Sequence, residues 1–174
     1  DRSTSESQKL ANEIGTFFIQ KIEKIRSKLD NITSPNDSHI SYSDPPNKTN
    51  IVMEKFELLT ETQILDLINS MPKKTCALDP VPKDLLISCV DVLLPVITIM
   101  VNLSLKTGRF SDQLKTAIVN PLLKKQELAP IFQNLRPISN LPFISKLTER
   151  AVANQIEEHM TYNKLYPLLQ SAYR

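Results

Sequence analysis

The sequence has few of the residues that build metal or redox sites. Its 174 residues include two cysteines, Cys76 and Cys89, and two histidines. The cysteines form no CxxC pair and need histidine help to bind zinc, so we expect ordinary thiols in a reducing compartment. His39 lies in a stretch rich in Pro, Ser and Asn, and His159 is the only histidine of its predicted helix. We therefore predict no metal and no cofactor in this chain, and an intracellular protein, nuclear or cytoplasmic, that is not secreted.

A hydrophobic run of membrane-spanning length is also missing. The most apolar stretch, residues 92–105, is interrupted by Pro95 and Asn102, whereas a span needs about 20 apolar residues. We expect a core helix here and no membrane partner. Hydrophobic residues make up 41% and charged residues 23% of the chain, proportions typical of a folded soluble protein and not of a disordered one.

The chain has little excess of either charge sign, since the formal net charge is +2. Its distribution is uneven, because residues 108–174 hold nine Lys/Arg against five Asp/Glu. The basic excess therefore falls in the last third of the chain. Such an excess suits a polyanionic partner, although surface charge most often serves only solubility.

The pattern of apolar residues divides the chain into three segments. Residues 1–30 carry a helical stripe and are predicted to form an amphipathic connector helix. Residues 31–50 are rich in Pro, Ser, Asn and Asp, so we predict a disordered linker. Residues 51–174 are predicted to form the main domain. The stripe of the first segment consists of Leu10, Ile14, Phe17, Ile22, Ile25 and Leu29.

Capping signals locate several helices of the main domain. Thr60 with Gln63 has the form of a capping box, so a helix should begin there. Asp79 is predicted to cap the helix that follows the prolines of LDPVPKDLL. Residues 91–107 should form another helix, and Gly108 should end it in the left-handed conformation.

Two short apolar runs near residue 120 predict a change from helix to strand. TAIVNPLLK and LRPIS each contain a proline and flank a loop at residues 125–134. We predict a small β-hairpin at residues 117–140 with edge-type strands, and a helix over residues 142–163. The fold class is therefore α+β and mostly helical, with a separate amphipathic helix before the main domain.

The order of these motifs resembles a known family. GRFSDQLKTAIVNPLLKK, NLRPISNLPFISKLTERAVANQI and LLQSAYR are similar to the fingers region of reverse transcriptases of non-LTR, LINE-type retrotransposons. Upstream, LLTETQILDLINSMPKKTCALDPVPKDLLISC resembles the motif that precedes the polymerase motifs, although ALDPVP departs from the family's glycine-containing turn. The resemblance covers residues 51–174, and residues 1–30 look like the connector between endonuclease and polymerase domains.

The resemblance implies part of an RNA-directed DNA polymerase whose partners are an RNA template and a DNA primer. The family's catalytic carboxylates hold Mg²⁺ and lie downstream, in an [FY]-x-D-D hairpin and a preceding strand. This sequence has no Asp-Asp pair, so we expect a truncated fingers fragment without catalytic residues or activity of its own. The missing palm domain would then be the packing partner of the strands and of the final helix.

The resemblance also assigns roles to basic residues. Lys124, Lys125 and Arg136 would face the triphosphate of the incoming nucleotide, which suits an ammonium's point charge and a guanidinium's planar fork. A second set, on the helix after the hairpin and at the end of the chain, would contact nucleic acid: Lys146, Arg150 and Arg174.

Two other hypotheses remain open at this stage. The chain could be a stand-alone module that binds nucleic acid without sequence preference through its basic last third. It could also be a helical interaction protein whose first helix docks onto a partner. Salt-dependent binding of nucleic acid distinguishes the two.

Overall fold

The structure is a computed structural model that describes residues 4–32, 51–72 and 76–166. The chain divides into two compact units. The first contains the N-terminal helix and the outer part of a hairpin, Val119–Ile138, and the second contains Thr49–Ile118 and Ser139–Arg174. Most of the predicted linker, residues 33–50, lies outside the described residues, as does Arg174.

The N-terminal helix, α1, runs from Thr4 to Ile32 and so is longer than its apolar stripe predicts. It is not separate from the hairpin, because the ring of Phe17 lies 5.6 Å from that of Phe132 in the hairpin loop. The aromatic stripe of α1 thus packs against the loop within the first unit. Four apolar residues in the later part of α1 are exposed: Ile19, Ile22, Ile25 and Leu29.

The predicted hairpin is confirmed as an antiparallel pair of six-residue strands, β1 (Ile118–Leu123) and β2 (Leu135–Asn140). The N–H of Lys124 donates to Asn134 O at 2.9 Å. With strands of equal length, this bond sets a register that places Pro121 opposite Pro137. Such a pair lies between ladder hydrogen bonds, so neither proline removes one. Each proline instead removes a backbone N–H donor from the outer edge of its strand.

The second unit is helical. Its elements are α2 (Glu61–Ser70), α3 (Lys83–Ser88), α4 (Val90–Thr107) and α5 (Phe143–Tyr162). Helices α2, α4 and α5 pack against one another around a core of Ile64, Ile68, Leu86, Ile97, Val101, Leu105, Phe143, Leu147 and Ala151. The predicted class, mostly helical α+β with a small hairpin, is confirmed.

Local caps follow the sequence in two of three cases. Thr60 and Gln63 form the predicted capping box, and Gly108 ends α4 with φ 64°. The prediction for Asp79 is wrong, because the N-cap of α3 is Pro82. The Asp79 carboxylate instead accepts the N–H of Phe143, the first residue of α5, at 2.6 Å. It therefore caps a helix that begins more than sixty residues later.

Only one side of helix α4 packs in the core. Its buried side contributes Ile97, Val101 and Leu105 to the core, while its other side is apolar and exposed. Among the described residues, α4 is long and apolar enough by length and composition to cross a membrane. Core helices of soluble proteins pass the same test.

The first half of the final helix is covered within this chain, while Ile156 in its second half is exposed. α5 buries Phe143, Leu147 and Ala151 in the core shared with α2 and α4. Four apolar residues of the strands are exposed, in contrast, whereas Leu135 is buried and Ile118 half-buried; the exposed ones are Val119, Leu122, Leu123 and Ile138. The cover that α5 needs thus comes from helices that precede it in the same chain.

Candidate functional site

The hairpin concentrates positive charge. Residues 118–140 contain Lys124, Lys125 and Arg136 against one acid, Glu127. All four side chains are exposed. A ligand approaching from solvent can therefore reach three cations carried by a short, locally folded segment.

The strand register brings two of these cations to one face. Leu122 lies opposite Arg136, and residues that are opposite or two apart share a face of the pair. Lys124 continues that register one residue beyond β1, because its N–H bonds to Asn134 O. Lys124 and Arg136 therefore belong to the same face, beside Leu122.

Lys125 differs from the other two cations. It lies outside β1, and its carbonyl accepts the N–H of Leu128 at 3.3 Å, so its backbone takes part in a turn of the loop. The hairpin register does not assign it to the face of Lys124 and Arg136. Of the three residues named from the sequence, two are brought together and the third is in the loop.

The ammonium of Lys124 also holds the loop. Its Nζ donates to Gln133 O at 2.7 Å across the base of the loop. An ammonium has three N–H donors, and this bond uses one. The contact restricts where the charge lies and leaves donors for an anion.

The loop between the strands is closed by its own polar groups. Asn134 Nδ2 donates to Ala129 O at 2.9 Å, and Asn134 N donates to Ile131 O at 2.9 Å. The packing of Phe132 on Phe17 adds an aromatic contact from α1. Together these contacts give the cations of the hairpin a fixed base.

The residues assigned to nucleic acid lie on α5 or beyond the described chain. Lys146 is half-buried, and its Nζ donates to Asn140 Oδ1 at 2.7 Å. This bond ties the start of α5 to the last residue of β2, so Lys146 has a structural partner that the sequence did not predict. Arg150 lies one turn later and is exposed. Arg174 is outside the described residues.

Metal ligands do not gather in the parts of the chain that the structure describes. Within residues 4–32, 51–72 and 76–166, no group of three His, Cys, Asp or Glu side chains is placed to hold an ion. Asp112 pairs with Lys115 at 2.7 Å. The hydrogen bond and charge of Lys115 hold the pKa of Asp112 below its ordinary value.

Two side-chain amides that the sequence analysis did not single out as partners clamp the extended segment before α2. Asn102 accepts the N–H of Leu59 and donates to its carbonyl, both at 2.8 Å. Gln155 does the same for Glu57, at 2.8 and 3.0 Å. Each amide thus makes the two backbone hydrogen bonds that a neighbouring β-strand would make to one residue. These bonds fix the segment to α4 and α5. An amide inside the apolar run of α4 was the available signal, since a polar group there needs a partner.

A further polar residue whose role the sequence analysis did not predict is Lys83. It is only 1% exposed, and its Nζ donates to the carbonyls of Ile68, Met71 and Pro72 at 3.2, 2.6 and 3.3 Å. The ammonium also lies 5.1 Å from the ring centre of Phe143. Lys83 therefore satisfies the C-terminal carbonyls of α2, where a positive charge is favourable.

Neither a scan against protein-family models nor a search of curated protein sequences gives a match to this chain.

Proposed function

We propose that this chain is the fingers part of an RNA-directed DNA polymerase of the LINE type, and that its hairpin contacts the triphosphate of the incoming nucleotide. The proposal rests on the resemblance of PLLKK and RPIS to that family. The chain would contribute nucleotide and template contacts, while a palm domain would supply the carboxylates and Mg²⁺.

The single observation that carries the proposal is the shared face of Lys124 and Arg136. A triphosphate presents several oxygens within a few ångströms, so it favours cations that approach from one side. An ammonium and a guanidinium on adjacent strands meet this need, and the guanidinium can contact two oxygens at once. Positive charge at that point would orient the triphosphate and offset charge that develops on the leaving pyrophosphate.

Arg136→Ala is expected to impair nucleotide use in a polymerase that contains this segment joined to its catalytic domain. Loss of a charge-assisted contact to phosphate costs ~1.5–3 kcal/mol, which corresponds to roughly a ten- to hundredfold loss in kcat/KM for the nucleotide. Arg136→Lys should recover part of the loss, because an ammonium keeps the charge but lacks the fork. Steady-state primer extension at varied nucleotide concentration measures these values.

Arg150→Ala is the matched control, since it removes one exposed arginine from α5. It should leave nucleotide kcat/KM within about twofold and, if Arg150 follows the template, reduce the salt slope of template binding by about one unit. Equal nucleotide kinetics for Arg136→Ala and the unmodified enzyme would contradict the assignment of the hairpin. The genomic sequence downstream gives a second test, because an open frame without an [FY]-x-D-D motif argues against a polymerase.

The alternative is a stand-alone module that binds nucleic acid or a protein. It predicts salt-dependent binding of single-stranded RNA by this chain alone, with similar losses for Lys124→Ala and Arg150→Ala. Fluorescence anisotropy at several salt concentrations measures this binding. The polymerase hypothesis differs, because it predicts that Lys124→Ala and Arg150→Ala have unequal effects on nucleotide use.

A further inference from the structure

One side of α4 presents an apolar stripe to solvent. Four of its residues are between 55% and 77% exposed: Val92, Val96, Ile99 and Leu103. At 100° per residue they fall within about 60° of the helix circumference. We call them the α4 stripe. It lies opposite the core-facing residues of the same helix, Ile97, Val101 and Leu105.

The spacing of the α4 stripe is symmetric along the chain. Its intervals are four, three and four residues, so the stripe reads the same in either direction. These are the intervals of a helix seam that packs knobs into holes. Reversal of the helix about a point between residues 97 and 98 exchanges Val92 with Leu103 and Val96 with Ile99.

We propose that the α4 stripe binds the same stripe of a second copy of this chain, with the two helices antiparallel about a twofold axis. Val96 then packs against Ile99 of the second copy, and Val92 against Leu103 of the second copy. A twofold interface requires a surface that is complementary to itself. The symmetric spacing provides that property.

The charges at the two ends of the stripe favour the antiparallel orientation. Asp91 precedes the stripe and Lys106 follows it, and both fall on the same flank of the helix. Antiparallel packing brings Asp91 toward Lys106 of the second copy at both ends, whereas parallel packing pairs neither charge with its opposite. The helix dipoles are also opposed only in the antiparallel pair.

A second copy suits α4 better than a lipid bilayer does. The opposite side of the helix is part of the core with α2 and α5, and Asn102 is bonded to Leu59. Insertion of α4 into lipid would break both sets of contacts. A protein partner needs only the side that is already exposed.

The apolar stripe of α1 suits self-association less well. Ile22, Ile25 and Leu29 are exposed, but Lys21 and Lys28 flank them. Two copies of this surface packed antiparallel about a twofold axis would place Lys21 beside Lys28 of the second copy. We therefore assign the self-association to α4.

The full chain is expected to form a dimer that dissociates in roughly the micromolar range, because a single helix pair buries less area than a standard interface. Sedimentation equilibrium measures this constant. Val96→Lys and Ile99→Glu should each weaken the dimer by about tenfold or more, since each places an unpaired charge against an apolar residue. Circular dichroism should show an unchanged fold, because both positions face solvent.

Mixing the two variants tests the geometry. In the antiparallel pair Lys at position 96 meets Glu at position 99 of the other copy, so an equimolar mixture of Val96→Lys and Ile99→Glu should recover a heterodimer. Parallel packing would instead place position 96 directly opposite position 96 of the other copy, and position 99 opposite position 99, so each charge would face an apolar residue. Absence of recovery, with both variants folded, would overturn the proposal.

Two further results would also overturn it. One is a chain that stays monomeric up to several hundred micromolar. The other is binding of the full chain to phosphatidylcholine vesicles that Val96→Lys abolishes, which would identify lipid as the occupant. Ile25→Lys on α1 is the matched control and should leave the dimer unchanged. Loss of the dimer in this control would move the interface to α1 and reject the α4 assignment.

Discussion

Lys83→Met is expected to lower the free energy of unfolding by about 3 kcal/mol, because it leaves the terminal carbonyls of α2 without their charged donor. Methionine has nearly the shape of lysine and fits the same space, so loss of packing contributes little. The ammonium bonds to three carbonyls and lies beside Phe143. Its removal therefore affects the end of α2 and the start of α5 together. Urea denaturation followed by circular dichroism measures the change.

Lys55→Met is the control for this prediction. The side chain of Lys55 is 76% exposed and is 3.5 Å from a Glu57 oxygen, a surface pair worth at most about 1 kcal/mol. We expect a change of that size or smaller. If Lys83→Met and Lys55→Met are equally stable, the buried ammonium does not hold α2 as we describe.

Asn102→Ala is expected to cost about 2–3 kcal/mol of unfolding free energy. The substitution removes both partners of the Leu59 backbone in a half-buried position, and an unsatisfied buried donor or acceptor costs about 1–3 kcal/mol. The segment before α2 should also become more mobile. Faster amide exchange at Leu59, measured by NMR, would report that loss locally.

Gln155→Ala provides the matched comparison, because the half-buried Gln155 makes the same pair of bonds to Glu57, and these bonds are exposed. Water can replace both of its bonds, so we expect a loss of about 1 kcal/mol or less. The difference between the two variants measures the effect of burial on one type of contact. Equal losses for both would show that burial around Asn102 does not make its clamp stronger.

Elements that depend on neighbours in sequence were predictable. The capping box of Thr60 joins residues three apart, and Gly108 ends α4 through its own backbone conformation. The apolar periods of α4 and α5 and the two runs of the hairpin are equally local. The interactions that form these elements act within one or two helical turns or across one loop, so the local sequence is enough to predict them.

Contacts between distant residues were decided by the tertiary structure. Asp79 has the chemistry of a cap, but which helix it caps depends on the packing of α5 near residue 79. Asn102 bonds to Leu59, and Lys83 bonds to the end of α2. No local sequence pattern indicates either partner. Lys146 was expected from the resemblance to contact nucleic acid, and its bond to Asn140 was not predicted.

The candidate site likewise has features that could be predicted from the sequence and features that could not. Two local apolar runs predicted a hairpin near residue 120, and the resemblance pointed to its basic residues Lys124, Lys125 and Arg136. The tertiary structure decided that Lys124 and Arg136 share a face while Lys125 does not, because a register shift of one residue would move a strand's side chains to the other face. That register depends on hydrogen bonds across the hairpin, which composition and spacing do not fix.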